Sequence, residues 1–512
     1  MQWTAGQQAA IAARNDSVLV SAAAGSGKTA VLVERVVALM KEGIPIDRML
    51  IVTFTRAAAG EMRERISRRL ENEAGGAFLR RQALRVSRAM ICTLHVFCAR
   101  VLREHFEAAG VDPMCRIADE DRLETLRSRA LDETLENAYA APTADESALF
   151  SQFEDAQIVA LVTQLRAFLS AQADPAAWAA EHCTPEAVGL SAWTPLLERL
   201  CEMQLQGARE LLPMMETLLN RADGPERYHA AFDTDAAMTG QLLESAAART
   251  LTGGKTAFAR LTTKKPGESE SPDVTAQFRA LREEWKKRVT AARALLPEDA
   301  ERAEADLRYT LPSLRALCEL AQKTEARYFA LKQEKNYLDY GDLEHLTLKA
   351  LRDPAVRSAV AAQYDALFVD EYQDVSGIQE AIVRALHENG KNLLFMVGDV
   401  KQSIYRFRLA DPTLFLQKYR DYSLAEDAPQ RKILLQQNFR SHENVLLATN
   451  QVFAHAMRER ETEIAYDEAA MLRPGGGQPF GAPVEIHLIT ADEEGEGELS
   501  KGYRYEAAYL VR

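Results

Sequence analysis

At 512 residues the chain exceeds the size at which a single hydrophobic core stops growing, so about two to four domains are expected. Its 47% hydrophobic and 27% charged composition is that of an ordinary globular protein. No apolar run approaches the roughly 18 to 20 residues of a membrane span, and the N-terminus lacks the basic-then-apolar pattern of a secretion signal. The net charge of −13 at first sight speaks against a nucleic-acid partner, but a local basic surface suffices for phosphate binding. The six cysteines (Cys92, Cys98, Cys115, Cys183, Cys201 and Cys318) include no CxxC pair. That spacing argues against a zinc or iron–sulfur site and fits the reduced thiols of a cytoplasm.

A short helix start, Trp3 to Ile11, opens the chain. The amide of Gln7 carries donor and acceptor side by side, as reading an adenine edge requires, although a lone glutamine is usually a solvated side chain. The apolar run Val18 to Val20 predicts a buried strand. A small-residue turn, Ala22 to Gly27, follows, and Lys28 and Thr29 open a helix whose apolar positions include Val31, Leu32, Val36 and Leu39. Strand, glycine-rich turn and helix carrying GKT is the P-loop arrangement. Backbone N–H groups of Gly25, Ser26 and Gly27 point at phosphates, Lys28 reaches the β- and γ-phosphates, and Thr29 offers its hydroxyl to Mg²⁺. The first position of the usual GxxxxGKT pattern is Ala22.

A second strand, Met49 to Thr55, runs into a helix carrying Arg56, Arg63, Arg65, Arg68 and Arg69. Phe54, Thr55 and Arg56 suit a base-stacking, phosphate-holding surface; the competing reading is a core phenylalanine beside a solvated basic face. Residues Ile91 to Phe97 form a third strand-to-helix transition, in which His95 is either a phosphate contact or a structural histidine.

From about Val101 to Lys349 long helical patterns dominate. Breaks are expected at Asp112–Pro113, Asp174–Pro175, Thr194–Pro195 and Gly224–Pro225, with a mobile polar loop over Lys264 to Pro272. Gly253 to Thr256 reads GGKT, but no apolar strand precedes it, so it is rejected as a second P-loop. The segment reads as a helical insertion in a sheet domain, closed by Leu338 to Leu343.

The sheet resumes at Ala366 to Val369, which delivers Asp370 and Glu371. In a P-loop hydrolase such acids hold Mg²⁺ and activate the attacking water, respectively. Leu393 to Val397 leads into Gly398 to Arg408, where Gln402 is placed to sense a γ-phosphate. Tyr405 and Phe407 alternate with arginines and are either a platform for bases or ordinary packing. Lys432 to Leu435 precedes Phe439 and Arg440; an arginine just past a strand end can reach a γ-phosphate. A further strand is expected over Val484 to Ile489, followed by an acidic loop.

The ordered set AxxGxGKT, TFTRAAAGEM, LFVDEYQD, GDVKQSIYRFR and QQNFRS resembles the UvrD/Rep/PcrA class of superfamily-one DNA helicases. Within that class its wording is most similar to the AddA family, the RecB-related subunits of bacterial AddAB-type helicase–nuclease complexes. The resemblance implies an α/β fold: a P-loop, RecA-like parallel sheet domain interrupted by a large all-helical insertion, plus the start of a second RecA-like domain. The expected boundaries are 1–104 and 351–440 for the two parts of the first domain, 105–350 for the insertion, and 441–512 for the beginning of the second. It implies ATP and Mg²⁺ as ligands, with Gln7 and Phe439 on the adenine and Ala22, Gly25, Ser26, Gly27, Lys28 and Thr29 around the phosphates. Metal falls to Thr29 and Asp370, and hydrolysis to Glu371, Gln402 and Arg440. DNA contact falls to Phe54, Thr55, Arg56, His95, Tyr405 and Phe407. The implied activity is ATP-driven 3′ to 5′ translocation on single-stranded DNA, acting on duplex ends in break repair with an AddB-type partner subunit in the bacterial cytoplasm. The alternatives are an ATP-binding docking module without motor activity, or a P-loop enzyme acting on a small molecule. Two departures stand out. Phe407 replaces a tryptophan of some family members, whereas Ala22 is common in the class. The later helicase motifs and a nuclease domain are expected beyond Arg512.

Overall fold

The computed structural model describes residues 3–73, 76–387, 392–458, 464–468, 470–476 and 484–485. A six-stranded, all-parallel sheet organises it, in the order β3-β2-β6-β7-β1-β8. Its strands are β1 (Ser17–Ala22), β2 (Met49–Thr53), β3 (Met90–Thr93), β6 (Ala366–Asp370), β7 (Leu393–Gly398) and β8 (Gln430–Leu435). Two small ribbons accompany it: β4 (Arg116–Ile117) with β5 (Tyr337–Leu338), and β9 (Gln437–Asn438) with β10 (Arg473–Pro474).

The strands are apolar on both faces because both are covered, as a parallel sheet requires. Period-two alternation sorts the side chains. Val18, Val20, Ile51, Phe368 and Phe395 face one core, against helices α1 (Ala5–Ala12), α2 (Lys28–Lys41), α3 (Arg56–Glu71) and α4 (Ala77–Arg85). Leu19, Leu50, Val52, Leu367 and Met396 face the other core, against α5 (Leu94–Glu104) and the helices Tyr340–Arg352 and Gly377–Leu386. Beside the first core Arg35, fully buried, lays its guanidinium 4.5 Å over the Phe395 ring. It donates to the carbonyls of Ala10 and Ala13, tying α1 to α2.

Register aligns the strand ends. Thr53 pairs with Thr93, Val52 with Val369, Asp370 with Val397, Ser21 with Gly398, and Ala22 with Leu435. Every loop leaving those C-terminal ends therefore opens onto one rim, where open α/β sheets bind ligands.

The helices between Glu120 and Gln333 leave the sheet after β3 and return before β6. Helices Leu190–Leu219 and Pro272–Ala294 enclose one apolar cluster around Trp285, and Ala300–Gln333 packs with the helices of 120–170 around another. One expectation needs correction. Thr194–Pro195 does not break the chain: Leu190–Leu219 runs through both Pro195 and Pro213. A proline removes one ladder bond, and burial of Cys201, Leu205, Ala208 and Met215 outweighs it. The polar loop is tied down at its end. Ser271 N–H donates to the Asp223 carbonyl, and the nearly buried Glu270 carboxylate accepts from Arg227 at 2.8 Å. The Gly253–Thr256 stretch lies outside any helix or strand, as expected of a decoy.

Beyond residue 440 the described residues contribute the helix Glu443–Ala456 and β10, which pairs with β9 beside the end of β8. Of the expected strand Val484 to Ile489, residues 486–489 lie outside the described residues, as does the acidic loop. Among the described residues no helix is long and apolar enough to cross a membrane.

Candidate active site

Gly25 and Gly27 adopt φ +69° and +82°, the left-handed region glycine tolerates, and so fold the turn between β1 and α2. Gly27 caps α2 without a side-chain hydrogen bond, leaving the first-turn N–H groups beginning at Lys28 and Thr29 without intrahelical acceptors. That is an anion-binding geometry. Ala22 is fully buried at the end of β1. Ser26 is also buried, and its hydroxyl has no partner. Gln7 lies against the loop: its amide donates to the Ser26 carbonyl at 3.0 Å, and its carbonyl oxygen closes a capping box with Thr4.

Asn438 holds the other side of the loop. Its amide donates to the Ala24 carbonyl at 2.8 Å, and its Oδ1 accepts from the N–H groups of Arg440 and Ser441. The N–H of Phe439 donates to the Gly25 carbonyl at 2.9 Å, so Phe439 and Arg440 stand next to the turn. A Cβ on Gly25 would come 2.7 Å from the Asn438 amide, a second reason for glycine there.

Across the sheet Lys28 Nζ donates to Glu371 Oε2 at 3.0 Å. Glu371 sits at φ +50°, ψ +47°, a conformation costing a glutamate about 1–3 kcal/mol, of the kind that persists at functional sites. Burial first, and then the Glu371 charge, push the Asp370 carboxyl up to about 6; the same causes, in the same order, push Asp374 to about 6. Thr29 and Asp370 are a hydroxyl and a carboxylate of the kind that would hold Mg²⁺ together with phosphate oxygens. Among the described residues no three His, Cys, Asp or Glu cluster to hold a metal alone. Gln402 is exposed, its amide donating to Asp399 Oδ2 at 2.8 Å.

The aromatic residues form a row on the same rim. Phe54 and Tyr405 have ring centroids 4.9 Å apart, and Tyr405 and Phe407 5.8 Å apart. Phe407 is 75% exposed, and Phe54 and Tyr405 are partly exposed, so none is a core residue. Thr55 caps α3 by accepting from Ala58 N–H, and Arg56 is exposed at its first turn. The remaining α3 arginines are occupied. Arg65 and Arg68 pair with Glu61 and Glu64, Arg69 with Glu34 and Glu73, and Arg63 donates to the Ile91 carbonyl. The basic run is a solvated, ion-paired face.

His95 lies in a cavity of about 420 Å³ that also reaches Phe54, Tyr340, Asp370 and Glu371. Its Nε2 is 3.1 Å from Glu344 Oε1, and its ring lies 4.9 Å from that of Tyr340. Sequence reasoning missed Tyr340, Glu344 and Asn438 as members of this site. Tyr340 belongs to the stretch read only as closing the helical segment, and Glu344 directly follows it; the aromatic followed by an acidic helix start was the available signal.

The sequence profile of the UvrD/REP helicase N-terminal domain matches residues 3–423. The chain is 39% identical over 490 residues to the AddA subunit of the ATP-dependent helicase/nuclease of Syntrophomonas wolfei, an alignment covering 92% of this chain and 39% of that one. It is 38% identical over 527 residues to the protein so named in Alkaliphilus oremlandii, covering 98% and 44%. The counterpart in Geobacillus thermodenitrificans is 35% identical over 556 residues, covering 99% and 44%. The chain thus spans about two fifths of the length of these curated relatives. With most of its length matched by that profile and the P-loop and Asp-Glu strand facing each other across one sheet, the chain belongs to the UvrD/REP helicase N-terminal domain family.

Proposed function

We propose that this chain is the ATP-hydrolysing motor portion of a 3′ to 5′ single-strand DNA translocase. It would act within a helicase–nuclease complex with an AddB-type partner subunit, in the repair of DNA double-strand breaks. The observation that carries the reading is the single rim on which the Lys28–Glu371 pair and the exposed row Phe54–Tyr405–Phe407 both stand. The residues divide the work as follows. Gln7 and Phe439 flank the P-loop and hold the adenine. The first-turn N–H groups of α2 bind the phosphates, and Lys28 exchanges its Glu371 partner for a phosphate oxygen. Glu371, released by Lys28, orients the attacking water and takes its proton, and Gln402 and Arg440 stabilise the negative charge that develops. Mg²⁺, held by Thr29 and Asp370, would neutralise phosphate charge. The aromatic row stacks on successive bases, and closing and opening of the nucleotide cleft move the strand.

The name shared by the relatives supports an ATP-dependent helicase paired with a nuclease. We assign the helicase activity to the residues above, with the domain division 1–104 and 351–440, 105–350, and 441–512. The test is hydrolysis measured with and without single-stranded oligonucleotides. Stimulation that is lost with Glu371→Gln supports the motor. No stimulation would favour a docking module, and a salt-independent interaction with oligonucleotides would favour a small-molecule enzyme, because phosphate contacts release counterions.

A further inference from the structure

A buried amide lies between the hydrolysis carboxylate and the aromatic row. Gln373, 1% exposed, sits in the short turn Tyr372–Asp374 just behind Glu371. Its Nε2 donates to Glu371 Oε2 at 2.9 Å and to Asp374 Oδ2 at 3.1 Å. Its Oε1 accepts from the backbone N–H of Asp399 at 2.9 Å, and its main-chain carbonyl accepts from Ser403 Oγ at 3.3 Å. Asp399, also 1% exposed, anchors Gln402 through its own carboxylate and begins the loop that presents Tyr405 and Phe407. One side chain therefore bonds the strained glutamate at one end and the first residue of the DNA-facing loop at the other.

Space has been kept for it. A Cβ on Gly398 would come 2.3 Å from Gln373 Oε1, so the end of β7 admits the amide only as glycine. The bonding is also poised to change. Glu371 Oε2 accepts from both Lys28 and Gln373, so a nucleotide that recruits Lys28 leaves Gln373 as the remaining one of these two donors. Asp374 Oδ1 is buried without a partner, so the cluster is not in a fully satisfied arrangement. An amide that served packing alone would not need to bridge two carboxylates on one side and a functional loop on the other.

We propose that Gln373 is a positioning residue that couples Glu371 to the loop 399–407, so that the state of the DNA platform sets the aim of the hydrolysis carboxylate and nucleotide sets the platform. The proposal rests on the motor reading above. Coupling of this kind is reciprocal, so it is measurable from either end.

The test uses Gln373→Met, which keeps volume and removes both side-chain bonds, in the full-length protein. ATP KM and oligothymidylate Kd without nucleotide are expected to stay within about two-fold of wild type. The ratio of oligonucleotide-stimulated to basal kcat is expected to fall at least about ten-fold, and the shift in oligothymidylate Kd caused by a non-hydrolysable ATP analogue to shrink to within about two-fold. Ser403→Ala, which removes only the hydroxyl bond, should lower the same ratio by about two- to five-fold. A wild-type ratio in Gln373→Met, or equal loss of basal and stimulated turnover, overturns the proposal. If circular dichroism shows that Gln373→Met does not fold, Ser403→Ala decides, and a wild-type ratio there overturns it. Absence of oligonucleotide stimulation in the wild type brings down the motor reading and this proposal together, whereas stimulation with an unchanged variant ratio brings down only the role of Gln373.

Discussion

The helical segment and the sheet rim treat buried charge in opposite ways. In the helical segment, Arg282 and Asp235 are almost wholly buried and meet as a bidentate pair, with Arg282 Nε 2.6 Å and Nη2 3.0 Å from the two carboxylate oxygens. Nη2 also reaches the Ala259 carbonyl, and nearby Trp285 Nε1 donates to Thr239. Burial pushes the Asp235 carboxyl up, and Arg282 offsets only part of that rise. On the rim, Glu371 is strained, Asp370 and Asp374 are raised, and Ser26 Oγ and Asp374 Oδ1 lack partners. The Arg282–Asp235 pair meets its charges internally, as a scaffold does. The rim instead combines a strained glutamate with two raised carboxyls, a cost in stability that functional sites commonly carry.

Several variants would break or sharpen that contrast. The largest stability effect belongs to the helical segment. Arg282→Met strands a buried carboxylate and should destabilise by about 3–5 kcal/mol, read as a lowered urea midpoint, with Arg282→Met/Asp235→Leu recovering most of it. A cost no larger than that of a surface change would show that the Arg282–Asp235 pair is not scaffold. On the rim the expected pattern is reversed. Glu371→Gln should lower kcat by about 10²- to 10⁴-fold while stability holds or rises, since the substitution removes a charge that raises Asp370 and Asp374. A large loss of stability with it would make the glutamate a scaffold residue.

Phe407→Ala should weaken oligonucleotide binding by about 1–3 kcal/mol and leave nucleotide affinity and the urea midpoint unchanged. Loss of the midpoint would show that the ring packs rather than stacks.

The smallest effect lies at the seam between the regions. There the fully buried Lys332 ammonium sits 2.6 Å from Asp339 and 2.7 Å from Asp342. Burial, and then the Asp339 carboxylate, push Asp342 above the usual carboxylate range. Asp342 therefore holds its proton in the folded state after the unfolded chain has lost it. Its contribution to stability is full below the unfolded pKa and falls as pH rises through the folded one. Asp342→Asn keeps the acceptor for the Asp339 N–H and should flatten stability from about pH 4 to neutrality, raising it by about 1 kcal/mol at pH 8. An unchanged pH profile would show that Asp342 does not carry this pH dependence.

Much of the rim was legible because its signals are local. A strand followed by a glycine turn and GKT, or by Asp-Glu, announces itself within about ten residues, and a parallel sheet brings such strand ends together. Helix length was harder: Pro195 looked like a break, yet burial along the 30-residue helix Leu190–Leu219 overrode it. The α3 arginines read as a solvated face, and ion pairs of Arg65, Arg68 and Arg69, one reaching as far as Glu34, make them so.

The sequence by itself determined the parts: the glycine turn with GKT, the acidic strand end, the aromatics and the helical segment between them. Each follows from short-range periodicity and backbone preference. Tertiary structure decided which of them meet. Only the strand order β3-β2-β6-β7-β1-β8 sets Lys28 against Glu371 and Asn438 against Gly25, and only the return of the helical segment sets Tyr340 beside His95. Those contacts join residues up to more than 400 positions apart. Sheet register and packing select them, and no local pattern encodes either.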